Sequence, residues 1–114
     1  MKDCIFCKII EGEIPCDKIY EDDMVLSFKD INPGAPSHFL IIPKKHIDSL
    51  NDISEEDSKV IAHIFIVAKK LAAQNNIDKS GYRIVSNCGA DAGQSVKHVH
   101  FHVLGGRNLA WPPG

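Results

Sequence analysis

The sequence predicts an α+β fold in which one long helix packs on one face of an antiparallel sheet. Three observations lead there. The segment Asp52–Asn76 carries apolar residues at helical spacing. Short runs of β-forming residues lie before and after it. The links between those runs are short, which favours antiparallel neighbours, and strands on either side of a single helix make the α+β pattern. A chain of 114 residues suits one domain, 1–114, around one core.

In chain order, Ile19–Phe28 reads as two short strands around the turn Glu21-Asp22-Asp23. The stretch Asn32-Pro33-Gly34-Ala35-Pro36 breaks regular structure with two prolines and a glycine. Ser37–Ile42 is rich in β-formers and stops at Pro43. For the helix, Ser54 is the expected N-cap, and Glu55, Glu56 and Asp57 place negative charge on the first turn. Ile61, Ile64, Ala68 and Leu71 form its apolar face, which Val60, Phe65 and Val67 widen. Asn75-Asn76 is the expected stop. Tyr82–Ser86 and His98–Leu104 read as the closing strands.

Composition narrows the function classes. The chain is 44% hydrophobic and 25% charged, which is ordinary for a globular protein. A formal net charge of −2 argues against a dedicated nucleic-acid binder. No apolar run approaches the roughly 20 residues of a membrane span. The start MKDCIFCKIIEGEIP is charged too early for a secretory signal, so the expected location is the cytoplasm. Thiols stay reduced there, and the four cysteines are expected as free thiols or metal ligands.

The chemistry concentrates in Lys97-His98-Val99-His100-Phe101-His102-Val103-Leu104, where three of the six histidines occupy alternate positions. On a strand His98, His100 and His102 share one face, while Val99, Phe101 and Val103 face the core. Neighbouring histidines then stand about 6.6 Å apart and the outer pair about 13 Å. Metal–nitrogen bonds of about 2.0–2.1 Å cannot gather all three on one ion. The row is expected to line a groove. Before it, Asn87-Cys88-Gly89-Ala90-Asp91-Ala92-Gly93-Gln94-Ser95 is a polar, glycine-bearing loop whose backbone N–H groups can approach an anion. It lacks the ending of a Walker loop. Donors feeding a row of imidazoles point to a phosphate site with a nucleophile or acid/base beside it. Cys4-Ile5-Phe6-Cys7 by itself leaves a redox pair, half a zinc site and chance all open.

The run His98–Leu104 resembles the histidine-triad motif His-φ-His-φ-His-φ-φ, φ being apolar, at every position. The likeness extends to Gly93-Gln94-Ser95-Val96 before it and Gly105-Gly106-Arg107 after it. It continues through Trp111-Pro112-Pro113-Gly114, Glu13-Ile14-Pro15, Phe28-Lys29-Asp30-Ile31 and His38-Phe39-Leu40-Ile41-Ile42-Pro43-Lys44-Lys45-His46. These are similar to the Hint-type branch of the family.

That resemblance implies a homodimer with an antiparallel sheet, a long helix and a short N-terminal helix in each subunit. It implies hydrolysis of purine nucleoside phosphoramidates, with His100 as nucleophile and a nucleotidyl-histidine intermediate. His102, Ser95, Asn87, Gln94 and the backbone at Gly93 correspond to the phosphate contacts. His38 corresponds to a fourth histidine beside the nucleophile, and Asp30 to the carboxylate that accepts ribose hydroxyls. Ile5, Phe6, Ile9, Ile14, Phe28 and Ile31 correspond to the apolar purine pocket. Cys4, Cys7, His46 and His98 correspond to a structural zinc site found in some relatives, leaving no metal in the catalysis. A neutral imidazole is a competent nucleophile near its ordinary pKa of about 6.5, in accord with this. Three other readings accompany it: a nucleotide-binding or protein-interaction module with incidental hydrolysis, a dinucleoside polyphosphate hydrolase, and a metal-storage or metal-sensing protein.

Overall fold

A computed structural model describes residues 3–114. Five strands form one antiparallel sheet: β1 (Lys18–Glu21), β2 (Val25–Lys29), β3 (Ser37–Pro43), β4 (Tyr82–Val85) and β5 (Phe101–Gly105), in the order β1-β2-β3-β5-β4. Two α-helices accompany it, α1 (Ile5–Ile10) and α2 (Ser58–Gln74). The α+β expectation holds. Among the described residues no helix is long and apolar enough to cross a membrane.

Alternation along the central strands divides the apolar residues between two layers. Val25, Phe39, Ile41, Phe101 and Val103 turn to one face and meet Ile64, Val67, Ala68 and Leu71 of α2. Leu26, Phe28, Leu40 and Ile42 turn to the other and meet Cys4, Phe6 and Cys7. Strands covered on both sides read as continuous apolar runs, which explains the lack of alternation in β2 and β3. The small helix α1 covers the second face. Each fully buried aliphatic chain contributes roughly 1.5–3 kcal/mol, so both layers hold the sheet.

The helix begins later than its sequence pattern. Ser54 caps a 3₁₀ turn, Glu55–Asp57, and its backbone N–H donates to Asp57 Oδ2 at 2.9 Å. Only from Ser58 does the chain become α-helical. Asp57 is buried and accepts from Lys45 Nζ at 2.6 Å, so it is an anchor as well as a first-turn charge. Phe65 stands at the margin of the apolar face, 46% exposed, with its ring edge-on to Phe101. The stop is where the two asparagines place it. Asn76 adopts a left-handed φ of 59°, and the Asn75 side chain donates to Leu71 O at 2.8 Å.

The last strand is shorter than expected. Pairing starts at Phe101, so His98 and His100 lie in a segment just ahead of β5. Pro43, which that segment approaches, has no N–H to continue a ladder. Its carbonyl accepts from His98 Nε2 at 2.8 Å, and Val99 N–H donates to Ile47 O at 2.7 Å. The alternation of faces survives: Val99 joins the α2-side core while Phe6 packs against His98 and His100.

Candidate functional site

Hydrogen-bond partners sort the histidines into two groups and assign a tautomer to most of them. In the first group the ligating atoms of Cys4, Cys7, His46 and His98 all lie within 4.8 Å of one another. Cys4 Sγ is 3.3 Å from His98 Nδ1, Cys7 Sγ is 3.3 Å from His46 Nδ1, and Cys7 Sγ is 3.6 Å from His98 Nδ1. The opposite nitrogens are engaged elsewhere. His98 Nε2 donates to Pro43 O, and His46 Nε2 to Asp48 Oδ1 at 2.5 Å. Both rings therefore aim an Nδ1 lone pair at the sulfurs, as metal-bound histidines do when a second partner fixes them.

Burial, with the nearby charge of His46 and His100 adding to it, lowers the His98 pKa to about 4 and keeps the ring neutral. Burial, then the neighbouring Cys4, pushes the Cys7 thiol up. A cation among these groups would reverse that preference. The four residues can hold a metal ion.

The second group surrounds His100. Its Nδ1–H donates to His98 O at 2.7 Å, which leaves the lone pair on Nε2. The His100 ring is buried, with Phe6 at 5.1 Å and His102 at 5.2 Å between centroids. Ser86 Oγ donates to His100 O at 2.9 Å, anchoring the backbone there. The β3–β5 register sets Leu40 opposite His102 and His38 opposite Leu104, so His38 and His102 are diagonal neighbours on one face. His38 thus packs on His102, which in turn stands beside His100.

A chain of contacts fixes the His38–His102 pair. Gly34 N–H donates to His38 Nδ1 at 2.9 Å, so neutral His38 carries its proton on Nε2. That nitrogen is 2.9 Å from His102 Nδ1 and 3.3 Å from Asp30 Oδ2. His102 consequently keeps its own proton on Nε2 as a donor. Burial, followed by the charges of His100 and His38, lowers the His102 pKa to about 4 against the pull of Asp30. The Asp30 carboxylate faces these rings, and its Oδ1 also accepts from Asn32 N–H at 2.8 Å.

The remaining expected contacts divide. Phe6 and Phe28 meet edge to face at 5.6 Å, with Ile9 packed against the same cluster. Ile9 and Ile14 line a small cavity of about 190 Å³. Ile5 and Ser95 line a different cavity, about 430 Å³, beside Cys4, His46 and Asp48. Ile31 is 91% exposed in the proline loop. Asn87 is half-buried just past β4, and Gly93, with φ of 80°, is exposed at a turn that only glycine adopts without strain. The Gln94 side chain is turned inward, both of its N–H groups donating to backbone carbonyls.

Gly34, Pro43, Asp48 and Ser86 are the residues that the motif did not reveal. Pro43 and Ser86 reach a histidine through contacts distant in sequence, Gly34 and Asp48 from four and two residues away, and Gly34 and Pro43 act through their own backbone. Only the proline-glycine composition around Gly34 offered a signal. All four cysteines are free thiols, with Cys16 and Cys88 half-buried and outside both groups. His63 lies on α2, its Nε2 bonded to Asp22 Oδ2 at 2.6 Å.

The family profile described as "Scavenger mRNA decapping enzyme C-term binding" matches residues 3–109. A HIT-like protein of Synechococcus elongatus is 49% identical, covering 99% of this chain and 98% of that protein. The crystal structure of a HIT family hydrolase from Legionella pneumophila superposes with a TM-score of 0.97 at 52% identity, covering 98% of this chain and all of that one. A histidine triad nucleotide-binding protein from Candida albicans superposes with a TM-score of 0.82 at 40% identity, covering 96% of this chain and 83% of its own.

Proposed function

The chain belongs to the histidine-triad (HIT) family, and on that premise we propose that it hydrolyses purine nucleoside phosphoramidates as a Hint-type enzyme. One observation carries the reading: His100 gives its Nδ1 proton to the His98 carbonyl and keeps a lone pair on Nε2. His100 Nε2 attacks the α-phosphorus. The P–N bond to the amine breaks, and the amine leaves with a proton from solvent. A nucleotide remains on His100. Water then adds to the phosphorus, its proton goes to solvent, and His100 recovers its lone pair as the nucleoside monophosphate departs.

Charge on the phosphoryl oxygens needs fixed donors. His102 offers its Nε2–H, held in that tautomer by Gly34 through His38. Ser95, Asn87 and the N–H groups near Gly93 supply the others. Phe6, Phe28 and Ile9 form the apolar wall for the purine, and Asp30 takes the ribose hydroxyls after turning from His38.

Cys4, Cys7, His46 and His98 would hold a structural zinc. Two sulfurs and two imidazoles are its preferred donors, and Zn–S of about 2.3 Å with Zn–N of about 2.0–2.1 Å gives tetrahedral edges of about 3.3–3.8 Å. The observed sulfur–nitrogen separations of 3.3, 3.3 and 3.6 Å match these edges. Through these ligands α1 would be tied to the segments of His46 and His98. The molecule acts as a homodimer in the cytoplasm.

The test is intact-mass measurement during rapid-quench turnover of an adenosine phosphoramidate. The wild type should show a transient nucleotide adduct. His100→Ala should show none and release amine at least about 10³-fold more slowly. Equal release by the two proteins overturns the assignment.

A further inference from the structure

Gln94 stands among the expected nucleotide contacts, yet its side chain faces the protein. Oε1 accepts from Gly89 N–H at 2.9 Å, and Nε2 donates to Asp48 O at 2.7 Å and Val96 O at 3.0 Å. The first bond closes the phosphate loop on itself, beside the backbone bonds Gln94 N–H to Gly89 O and Gly93 N–H to Ala90 O. The second reaches 46 residues back along the chain to the segment that carries a cysteine–histidine ligand.

We propose that Gln94 is a positioning residue coupling the Cys4–Cys7–His46–His98 cluster to the phosphate loop, so that a cation in one and a nucleotide phosphate on the other strengthen each other's binding. This rests on the nucleotide reading of the site and adds to it a regulation of affinity.

The route is short and continuous. His46 points Nδ1 at Cys7 Sγ and donates through Nε2 to the Asp48 side chain. The carbonyl of Asp48 receives Gln94, and Gln94 receives Gly89. Ser95, next to Gln94, borders the same cavity as Cys4, His46 and Asp48. Residues 89–93 are exposed, so little side-chain packing holds the loop, and its order depends on these few bonds. A phosphate that binds there must fix the loop. A cation that has already fixed His46 and Asp48 removes part of that entropic cost, and by linkage the phosphate favours the cation equally. A second route exists, from His98 through its carbonyl to His100, so the two must be told apart.

The experiment is calorimetric titration of AMP into zinc-loaded and zinc-stripped protein, as wild type, Gln94→Met and Asp48→Ala. In the wild type, zinc should tighten AMP about five- to tenfold. In Gln94→Met that ratio should fall close to one. Asp48→Ala, which cuts the His46 side of the route alone, should lower the ratio while zinc-stripped protein binds AMP as the wild type does. Cobalt in place of zinc gives a second reading that needs no stripped protein. AMP should shift its visible absorption in the wild type and leave it unchanged in Gln94→Met. An equal ratio in the wild type and Gln94→Met, or a cobalt shift that survives the substitution, assigns the coupling to His98–His100 and overturns the proposal. AMP bound by no form at all overturns the nucleotide reading itself, a result distinct from AMP bound without linkage.

Discussion

His98 and His102 lie four residues apart on the same run of chain, and their surroundings use the imidazole in opposite ways. Around His98, Pro43 O and Asp48 Oδ1 accept both Nε2 protons, two sulfurs meet both Nδ1 atoms, and three of the four residues are buried. Around His102 the nitrogens face one another and a carboxylate, and the rings remain partly accessible. The first arrangement gathers four groups able to hold a metal ion, and the second gathers two imidazoles and a carboxylate at a partly open surface. What separates them is the partner each backbone position meets, since the side chain is the same.

Three perturbations test that contrast, beginning with the greatest effect. Zinc at 1,000 times its dissociation constant for the cluster should stabilise the fold by about 4 kcal/mol, and Cys7→Ser should forfeit most of this. Urea unfolding monitored by circular dichroism measures it. An unchanged midpoint would reduce the closed cluster to ordinary packing.

His38→Ala should do the reverse. With the Gly34–His38–His102 chain cut, kcat/KM should fall about 10- to 100-fold, a loss of 1–3 kcal/mol in transition-state stabilisation. The urea midpoint should stay near that of the wild type. A large loss of stability with normal turnover would erase the distinction between the two groups.

The third effect is in pH. His102 falls from an ordinary 6.5 to about 4 in the folded protein, so between those values the unfolded chain binds more protons. The stability from its neutral form is whole above about pH 6.5 and is lost as pH falls toward 4, on the order of 2–3 kcal/mol. Unfolding of the wild type and His102→Gln across that range isolates the contribution, and parallel curves would refute it.

The sequence made local and periodic features legible. Asn75-Asn76 ends α2 because asparagine tolerates a left-handed φ, which is visible from composition. The alternation at His98–Val103 separates core from site without any knowledge of neighbours. Features made by distant contacts were hidden. The start of β5 at Phe101, opposite Ile41, depends on Pro43 two residues further along β3, and the second apolar layer depends on α1 folding over β2 and β3. Within the site, residue types identified the sulfur–imidazole cluster once the family pattern was seen. An amide beside a phosphate loop suits a ligand contact and a backbone strut equally well, so residue type alone does not say that the Gln94 side chain meets Gly89, Asp48 and Val96. Ile31 was assigned by motif position alone, and the proline loop turns it to solvent.

The two-residue rhythm from His98 to Val103 has a consequence for what changes this segment can survive. Exchanging His98 with Val99 would preserve mass, composition and formal charge, yet it would send an imidazole into the aliphatic layer under α2 and an isopropyl group toward sulfur. One residue inserted or deleted there would invert every later position in the same way. Replacing Val99 or Val103 by another aliphatic of similar volume would disturb far less. Drift in this stretch is therefore filtered by counting: substitutions pass where the frame is kept, and indels do not.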